Sequence, residues 1–560
     1  MVRSHPEEPH FIQGHISPMF DNTKPNVIII SDFSNIIAMD KTIGPYRVAS
    51  QLRIAGFEVA VIHHLSTFSI GEIKHTLSHM ISDKTLFIGV NNFFYHNCGD
   101  IVELEDFSVQ PYGRMTAGSF LPHGHKYNRE IKELARSINP KCKFALGGPD
   151  ALDIEANRDF DYVVQGYADS SVINLAQHLL DPTVRLQKSH RSIFGFYFID
   201  DAKAESFDFV TSTMQYENHD AILPGETLLI EIARGCIFSC SFCSYPLNGK
   251  KKLDYIRSVD NIYAEMIRNY EMFGTTRYVL SDDTLNDSVE KCQIMYDLSR
   301  RLPFKLEYWA YTRLDLLAAK PDTIDLLWKS GWRATLFGIE SLDAKAAATI
   351  GKGGSREKLI KTLEELKRRY GDEICLTGSF IYGLPHESIA SLERTTEWLL
   401  GDTCPLDGIL INVLRLRSPE ILKGSGFVSE LDRNWDKYGY TDLGVRDHRL
   451  EGSGTMMWEN EHTTFEYLTE WCKQINHQIH NQYSKKGRML GRESFALASL
   501  SGKLKLNQIM ADIDWHKLDQ LKLKQSRKYK ENLWAGCQVP LLTDESANCH
   551  TFGEWLKQRK

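Results

Sequence analysis

The stretch RGCIFSCSFCSYP, residues 234–246, places Cys236, Cys240 and Cys243 within eight consecutive positions. It follows the apolar run Leu228–Ile232 (LLIEI), which reads as a strand, so the three thiols sit in the loop after it. A tight loop lets three thiolates converge on one object. Zinc takes four ligands and its motifs pair one CxxC with a second half, and no second half lies nearby. Cysteine thiolates also hold iron–sulfur clusters, four as a rule. Three of them leave one iron of a [4Fe–4S] cluster open to a further ligand. The chain of 560 residues has 11 cysteines, an odd number spread over its length, which does not read as a disulfide framework.

Downstream of the cysteines, short apolar runs alternate with helical stretches. The strand candidates are Leu228–Ile232, Arg277–Leu280, Leu306–Tyr311, Ala334–Ile339, Cys375–Ile381 and Gly408–Val413. Ser258–Met272, Val289–Arg301 and Arg356–Arg369 read as helices between them. Six β-then-α units predict a barrel or part of one, with its chemistry at the C-terminal ends of the strands. The segments that fall there carry polar groups. They are Ser281–Asp282–Asp283–Thr284, Arg313, Gly338–Ile339–Glu340–Ser341, and Tyr382–Gly383–Leu384–Pro385–His386–Glu387–Ser388. An Asp pair after a strand also suits the cap of the next helix.

Upstream, Asn26–Ile30, Phe57–Ile62, Thr85–Val90, Lys143–Leu146 and Asp161–Val164 read as strands, with Pro45–Ala55 and Tyr127–Ile138 as helices. This order predicts a doubly wound, Rossmann-like parallel sheet. The expected organisation is a polar leader over 1–24, the sheet domain over 25–195, a connector over 196–224, the barrel over 225–415, and a mostly helical region over 416–560 that closes the barrel mouth. In that last region His462–His480 reads as an amphipathic helix, and Trp458 and Trp471 as packing residues. His96, His123 and His125 fall in a long loop near 95–125 and read as solvated loop residues before ligands.

Composition is that of a globular protein, 42% hydrophobic and 25% charged, with a net charge of -7. No global basic field points to nucleic acid. No run of about 18 apolar residues suggests a membrane span, and the first residues show no apolar signal sequence. A cytoplasmic location is expected, where thiolates stay reduced.

CxxxCxxC with an aromatic, Phe242, before the last cysteine resembles the signature of the radical S-adenosylmethionine (SAM) superfamily. The resemblance implies a partial (β/α)6 barrel and a [4Fe–4S] cluster on Cys236, Cys240 and Cys243. The open iron would bind SAM, and one electron would cleave it to a 5′-deoxyadenosyl radical. It implies an external electron donor such as flavodoxin or ferredoxin, and SAM-site roles for Phe242, Asp282, Asp283, Arg313, Glu340 and Ser341. Arg313 suits the SAM carboxylate, and Glu340 and Ser341 suit ribose hydroxyls.

The GGPDA segment, Gly147–Ala151, and DYVVQGYAD, Asp161–Asp169, resemble the cobalamin-binding domains that precede some of these barrels. Gly147 and Gly148 would let backbone approach the cofactor's nucleotide tail. The loop SDFSNIIAMDKTIG, residues 31–44, departs from the DxHxxG pattern of many such domains because it holds no His, and His63 and His64 do not fit it. The resemblance implies a cobalamin-dependent enzyme, a methyltransferase on an unactivated carbon of a small molecule or peptide. The alternatives are a radical rearrangement, cyclisation or oxidation, and a non-catalytic cluster- or cobalamin-binding sensor. The tRNA methylthiotransferases carry three further cysteines upstream, whereas only Cys98 and Cys142 precede Cys236 here.

Overall fold

In parallel sheets both faces are covered, so central strands read as unbroken apolar runs. Val27–Ile30 (β1) and Val59–Ile62 (β2) are buried at every residue. With Phe87–Asn91 (β3), Lys143–Gly148 (β4), Tyr162–Gly166 (β5), Ser189–Arg191 (β6) and Tyr197–Asp201 (β7) they form one sheet in the order β2-β1-β3-β4-β5-β7-β6. All neighbours run parallel except β6, which is antiparallel to β7. This computed structural model describes residues 24–31, 41–91, 124–148, 151–153, 155–203, 207–417, 427–446, 456–486 and 515–542.

Ile43–Ile54 (α1) and Ser171–Leu180 (α4) cover one face of the sheet, and their apolar residues join the core that continues into the barrel. Ile70–Met80 (α2) and Gly124–Ile138 (α3) cover the other face. The α2 start carries a capping box: Glu72 N–H donates to Ser69 Oγ at 3.1 Å, and Ser69 N–H donates to Glu72 Oε2 at 2.7 Å. The sheet extends past residue 195, because β7 pairs with β5, so the expected boundary there falls inside it. The strands β6 and β7 are short and polar at alternate positions, too brief to stand out as a hydrophobic period.

The second sheet has the order β13-β12-β11-β10-β9-β8 and is parallel throughout. Its strands are Leu228–Ile230 (β8), Arg277–Leu280 (β9), Glu307–Thr312 (β10), Trp332–Glu340 (β11), Cys375–Tyr382 (β12) and Gly408–Val413 (β13). Helices Val259–Phe273 (α5), Val289–Arg301 (α6), Leu314–Ala319 (α7), Asp322–Ser330 (α8), Ala344–Thr349 (α9), Arg356–Tyr370 (α10) and Ile389–Leu400 (α11) lie between them. This is the expected open (β/α)6 barrel. Gly331, between α8 and β11, has φ +110, and a Cβ there would meet the Leu306 carbonyl at 2.1 Å, so only glycine makes this turn.

The region after the barrel is not uniformly helical. Thr441–Arg446 and Met456–Glu459 pair as an antiparallel ribbon. Trp458 is fully buried, with Nε1 donating to Leu414 O at 3.0 Å. The helix Phe465–Lys486 packs on α11 and β13, next to the barrel. The last helix, Trp515–Gly536, goes elsewhere, which corrects the expectation that all of 416–560 closes the barrel mouth. Its Tyr529, Leu533 and Trp534 enter the core under α2 and α3. Trp534 Nε1 donates to Thr76 Oγ1 at 2.9 Å, Lys530 Nζ stands 3.0 Å from Glu72 Oε1, and Tyr529 OH accepts from His63 N–H at 2.7 Å. Among the described residues, no helix is long and apolar enough to cross a membrane.

Removing a buried indole costs about 3–5 kcal/mol. Trp534→Ala should therefore lower the unfolding free energy by about that much, although it lies far along the chain from the sheet it supports. Urea unfolding followed by circular dichroism checks this, and a loss under about 1 kcal/mol would mean the helix does not hold the N-terminal domain.

Candidate functional site

The chain leaves β8 and turns at once into the cysteine loop. Asp282, at the end of β9, fixes that turn: Ile232 N–H and Ala233 N–H donate to its Oδ1 at 2.9 and 3.1 Å. Its other oxygen stands 2.9 Å from Lys291 Nζ of α6, and both side chains are fully buried. Gly235 has φ +88, and a Cβ there would lie 2.0 Å from Leu247 O. The loop then closes on itself, since Gly249 N–H donates to Phe238 O at 2.9 Å and Lys250 N–H to Cys236 O at 3.0 Å.

The Asn248 carboxamide lies between two of the thiols. Its Nδ2 donates to Cys243 Sγ at 2.8 Å, and Cys236 Sγ stands 3.5 Å from its Oδ1. Among the described residues, no three of His, Cys, Asp and Glu are grouped to hold one metal ion. Three cysteine thiols on one loop are a donor set whose chemistry suits an iron–sulfur cluster. Burial pushes the Cys236 thiol up to about 11 and the Cys243 thiol to about 12. Iron must displace those protons when it binds.

The polar residues at the strand ends divide into scaffold and free groups. Arg313 is scaffold. Its Nε and Nη2 grip Asp315 at 3.0 and 2.6 Å, Nη2 also donates to Gly351 O at 3.0 Å, and Nη1 donates to Cys240 Sγ at 3.4 Å. Four of its five N–H groups are thus taken, and its face lies 4.0 Å from the centre of the Phe238 ring. Asp282 is scaffold as described. Ser341 Oγ donates to the buried carboxyl of Glu387, so the expected ribose contact is occupied within the protein. Burial pushes Glu387 up to about 8.

Glu340 and Lys352 are less committed. Glu340 sits beyond a bulge in β11 with φ +65, an unusual conformation for a residue with a side chain. Burial raises its carboxyl above the ordinary range. Lys352 Nζ donates to Gly338 O at 2.8 Å and stands 3.5 Å from Glu340 Oε1 and 5.7 Å from the centre of the Phe242 ring. Gly338 leaves room for both, since a Cβ there would lie 2.6 Å from Glu340 Oε1. Asp283, half-buried beside Asp282, has its carboxyl pushed up to about 6 by burial and by that neighbouring charge.

A cavity of roughly 340 Å³ lies between the two domains. Gly44, Gly89, Gly147 and Gly148 line it from the N-terminal sheet, and Leu229, Val279, Leu280, Ser281 and Tyr311 from the barrel. A Cβ at Gly44 would meet nothing within 4 Å, and one at Gly147 only Val164 O at 3.9 Å, so these glycines leave open space. Tyr167, Tyr245 and Phe427 add aromatic wall.

Arg47, Glu231 and Arg234 also line the cavity and belong to a buried quartet with Asp169. Arg47 Nε stands 2.9 Å from Asp169 Oδ1 and 3.5 Å from Glu231 Oε2. Arg234 stands 2.6 Å from Asp169 Oδ2 and 2.8 Å from Glu231 Oε1. Sequence reasoning missed all four. The signals were charged residues inside apolar segments: Arg47 in GPYRVASQLRIA and Glu231 in LLIEI.

His63 and His64 are buried, and burial pulls both well below the usual histidine range. His63 Nε2 accepts from Thr42 N–H at 3.1 Å. His96 and His123 lie outside the described residues, as does most of the 31–44 loop, and His125 lies in α3 with its side chain undescribed.

Residues 230–399 match the radical SAM superfamily. The chain is 26% identical over 243 residues to bacteriochlorophyllide d C-12(1)-methyltransferase of Chlorobaculum tepidum, covering 41% of this chain and 48% of that protein. It is 23% identical over 289 residues to the anaerobic magnesium-protoporphyrin IX monomethyl ester cyclase of Cereibacter sphaeroides, covering 48% and 46%. These matches thus span about half the length of the curated relatives. The fold is similar to that of the radical SAM methyltransferase TsrM of Kitasatospora setae, with a TM-score of 0.60 at 13% identity, over 90% of this chain and 99% of that one. It is also similar to the cobalamin-dependent radical SAM enzyme OxsB, with a TM-score of 0.55 at 13% identity, over 96% and 84%. With its three-cysteine loop at the head of an open (β/α)6 barrel, the chain carries a radical SAM superfamily domain over residues 230–399 and is similar in fold to TsrM and OxsB.

Proposed function

We propose that this chain is a cobalamin-dependent radical SAM enzyme that transfers a methyl group to an unactivated carbon. The observation that carries the reading is the cavity between the domains, lined at once by the glycine edge of the N-terminal sheet and by the barrel strand ends beside the cysteine loop. TsrM, of similar fold, has been solved with cobalamin and a [4Fe–4S] cluster bound, OxsB with aqua-cobalamin, and the Chlorobaculum relative is named as a methyltransferase. When bound, the cluster supplies the electron that cleaves SAM, and cobalamin supplies the methyl group.

The chain's own residues have separable tasks. Cys236, Cys240 and Cys243 hold the cluster. Arg313 orients Cys240 and takes no part in carboxylate binding. Lys352 has N–H groups to spare beside Phe242 and is the cation that receives the SAM carboxylate. Glu340 accepts from ribose hydroxyls. Gly147 and Gly148 keep side chains out of the space the cobalamin tail needs, and Tyr167, Tyr245, Tyr311 and Phe427 give the shared cavity an aromatic wall. The similarity to a cyclase favours a second reading, in which the same cluster and cavity serve ring closure or oxidation without methyl transfer.

Anaerobic reconstitution with iron and sulfide tests the proposal. The wild type should load about four irons per chain, form 5′-deoxyadenosine from SAM on reduction, and take up cobalamin seen in its visible spectrum. A protein that loads iron but never takes up cobalamin ends the methyl-transfer reading. Cys240→Ala should lose most of the iron and all SAM cleavage. Gly147→Leu should keep its iron and lose cobalamin uptake. Lys352→Met should keep its iron and bind SAM roughly 10- to 100-fold more weakly, the worth of one charge-assisted hydrogen bond, as titration calorimetry will read. Unchanged SAM affinity would return the carboxylate to another group.

A further inference from the structure

The cysteine loop has an outward side that the proposed chemistry does not use. Three consecutive lysines, Lys250, Lys251 and Lys252, follow one residue after Asn248, whose carboxamide lies between the Cys243 and Cys236 thiols. The run is tied to the loop by backbone, through Gly249 N–H to Phe238 O and Lys250 N–H to Cys236 O. Lys251 and Lys252 are exposed, Lys250 is half-exposed, and none of the three makes an ion pair among the described residues. Two large apolar side chains beside them are also exposed, Ile237 at 38% and Leu253 at 41%. Asp254 is the one acid in this stretch, so its local charge is positive while the whole chain carries -7.

We infer that Lys250, Lys251 and Lys252 form the docking site for an acidic one-electron carrier protein that reduces the cluster. The inference rests on the function proposed above. A negatively charged partner is repelled by the chain as a whole and attracted at this patch, which orients it on the loop that holds the thiols. A small cationic rim with two apolar contacts suits a weak, transient electron-transfer encounter. Three lysines are fewer than the four to eight that mark a lipid-binding cluster. One electron passes from the carrier to the cluster. The carrier is oxidised by one electron, the cluster is reduced by one, and no bond is made or broken.

The test uses the full-length, iron-loaded protein and stopped-flow absorbance of the cluster, with reduced flavodoxin as donor. Lys251→Glu/Lys252→Glu should load iron and be reduced by dithionite as the wild type is. Its reduction by flavodoxin should be at least tenfold slower at low salt, the scale of electrostatic steering, and the difference should vanish at about 0.5 M salt as the charges are screened. Lys251→Gln/Lys252→Gln should show a smaller loss of the same sign, and it supplies the comparison if the charge reversal disturbs iron loading. A variant reduced by flavodoxin at the wild-type rate overturns the inference. So does binding of anionic vesicles or nucleic acid through these lysines with flavodoxin reduction unaffected. Wild-type protein that holds no iron is visible before any donor is added, and it overturns the proposed function and this inference together.

Discussion

Two arginines from different domains share one carboxylate. Arg47 comes from the first helix of the N-terminal domain and Arg234 from the head of the cysteine loop, and both close on Asp169. Glu231 completes the set. Burial alone would raise the Glu231 carboxyl, but Arg234 and Arg47 outweigh it and hold it at about 2. Phe209 and Tyr167 lie against the Arg234 guanidinium at 4.5 and 4.8 Å from their ring centres. A buried ion pair adds little net stability when complete, yet loss of one partner costs about 3–5 kcal/mol because a charge is stranded. The quartet therefore acts as a register pin. It penalises any domain orientation that separates its members, and three of them line the cavity.

Arg234 is two residues from Cys236, so the seam between domains and the cluster loop are one mechanical unit. Asp282 reinforces this from below, taking two amides of the same segment while Lys291 neutralises it. Gly235 forbids relaxation on the other side, where no Cβ has room. A loop that must hold three thiols in a fixed array is thus clamped immediately before its first cysteine.

Most of the strands, their succession along the chain and the cysteine loop were legible because their signals are local: apolar runs, turn residues, a three-cysteine spacing. Glycines at the cavity edge were legible for the same reason. The roles of Asp282, Arg313 and Ser341 were not. Each is a polar residue at a strand end, where a ligand contact and an internal contact look alike. The choice is made by Lys291, Asp315 and Glu387, and only the folded chain shows which of these partners meets which group. The last helix was illegible in a different way. Its Tyr529, Leu533 and Trp534 advertise a buried face, but nothing in the sequence says that the face is buried against α2, some 450 residues earlier. His63, which does not fit the cobalamin motif, accepts at Nε2 from Thr42 N–H while its backbone N–H donates to Tyr529 OH.

The cysteine loop has two sides with opposite character. Tyr245, two residues after Cys243, lines the cavity between the domains. Ile237 and Lys251, where the two arms of the loop pair, are exposed. A strongly reducing electron and a radical are both consumed by water and oxygen if they meet them, so a site that uses both gains from separate entry routes. A single loop of about 20 residues, folded back on itself by two backbone hydrogen bonds, carries lysines on one side and meets the cavity on the other, which is the separation that the proposed electron entry would use.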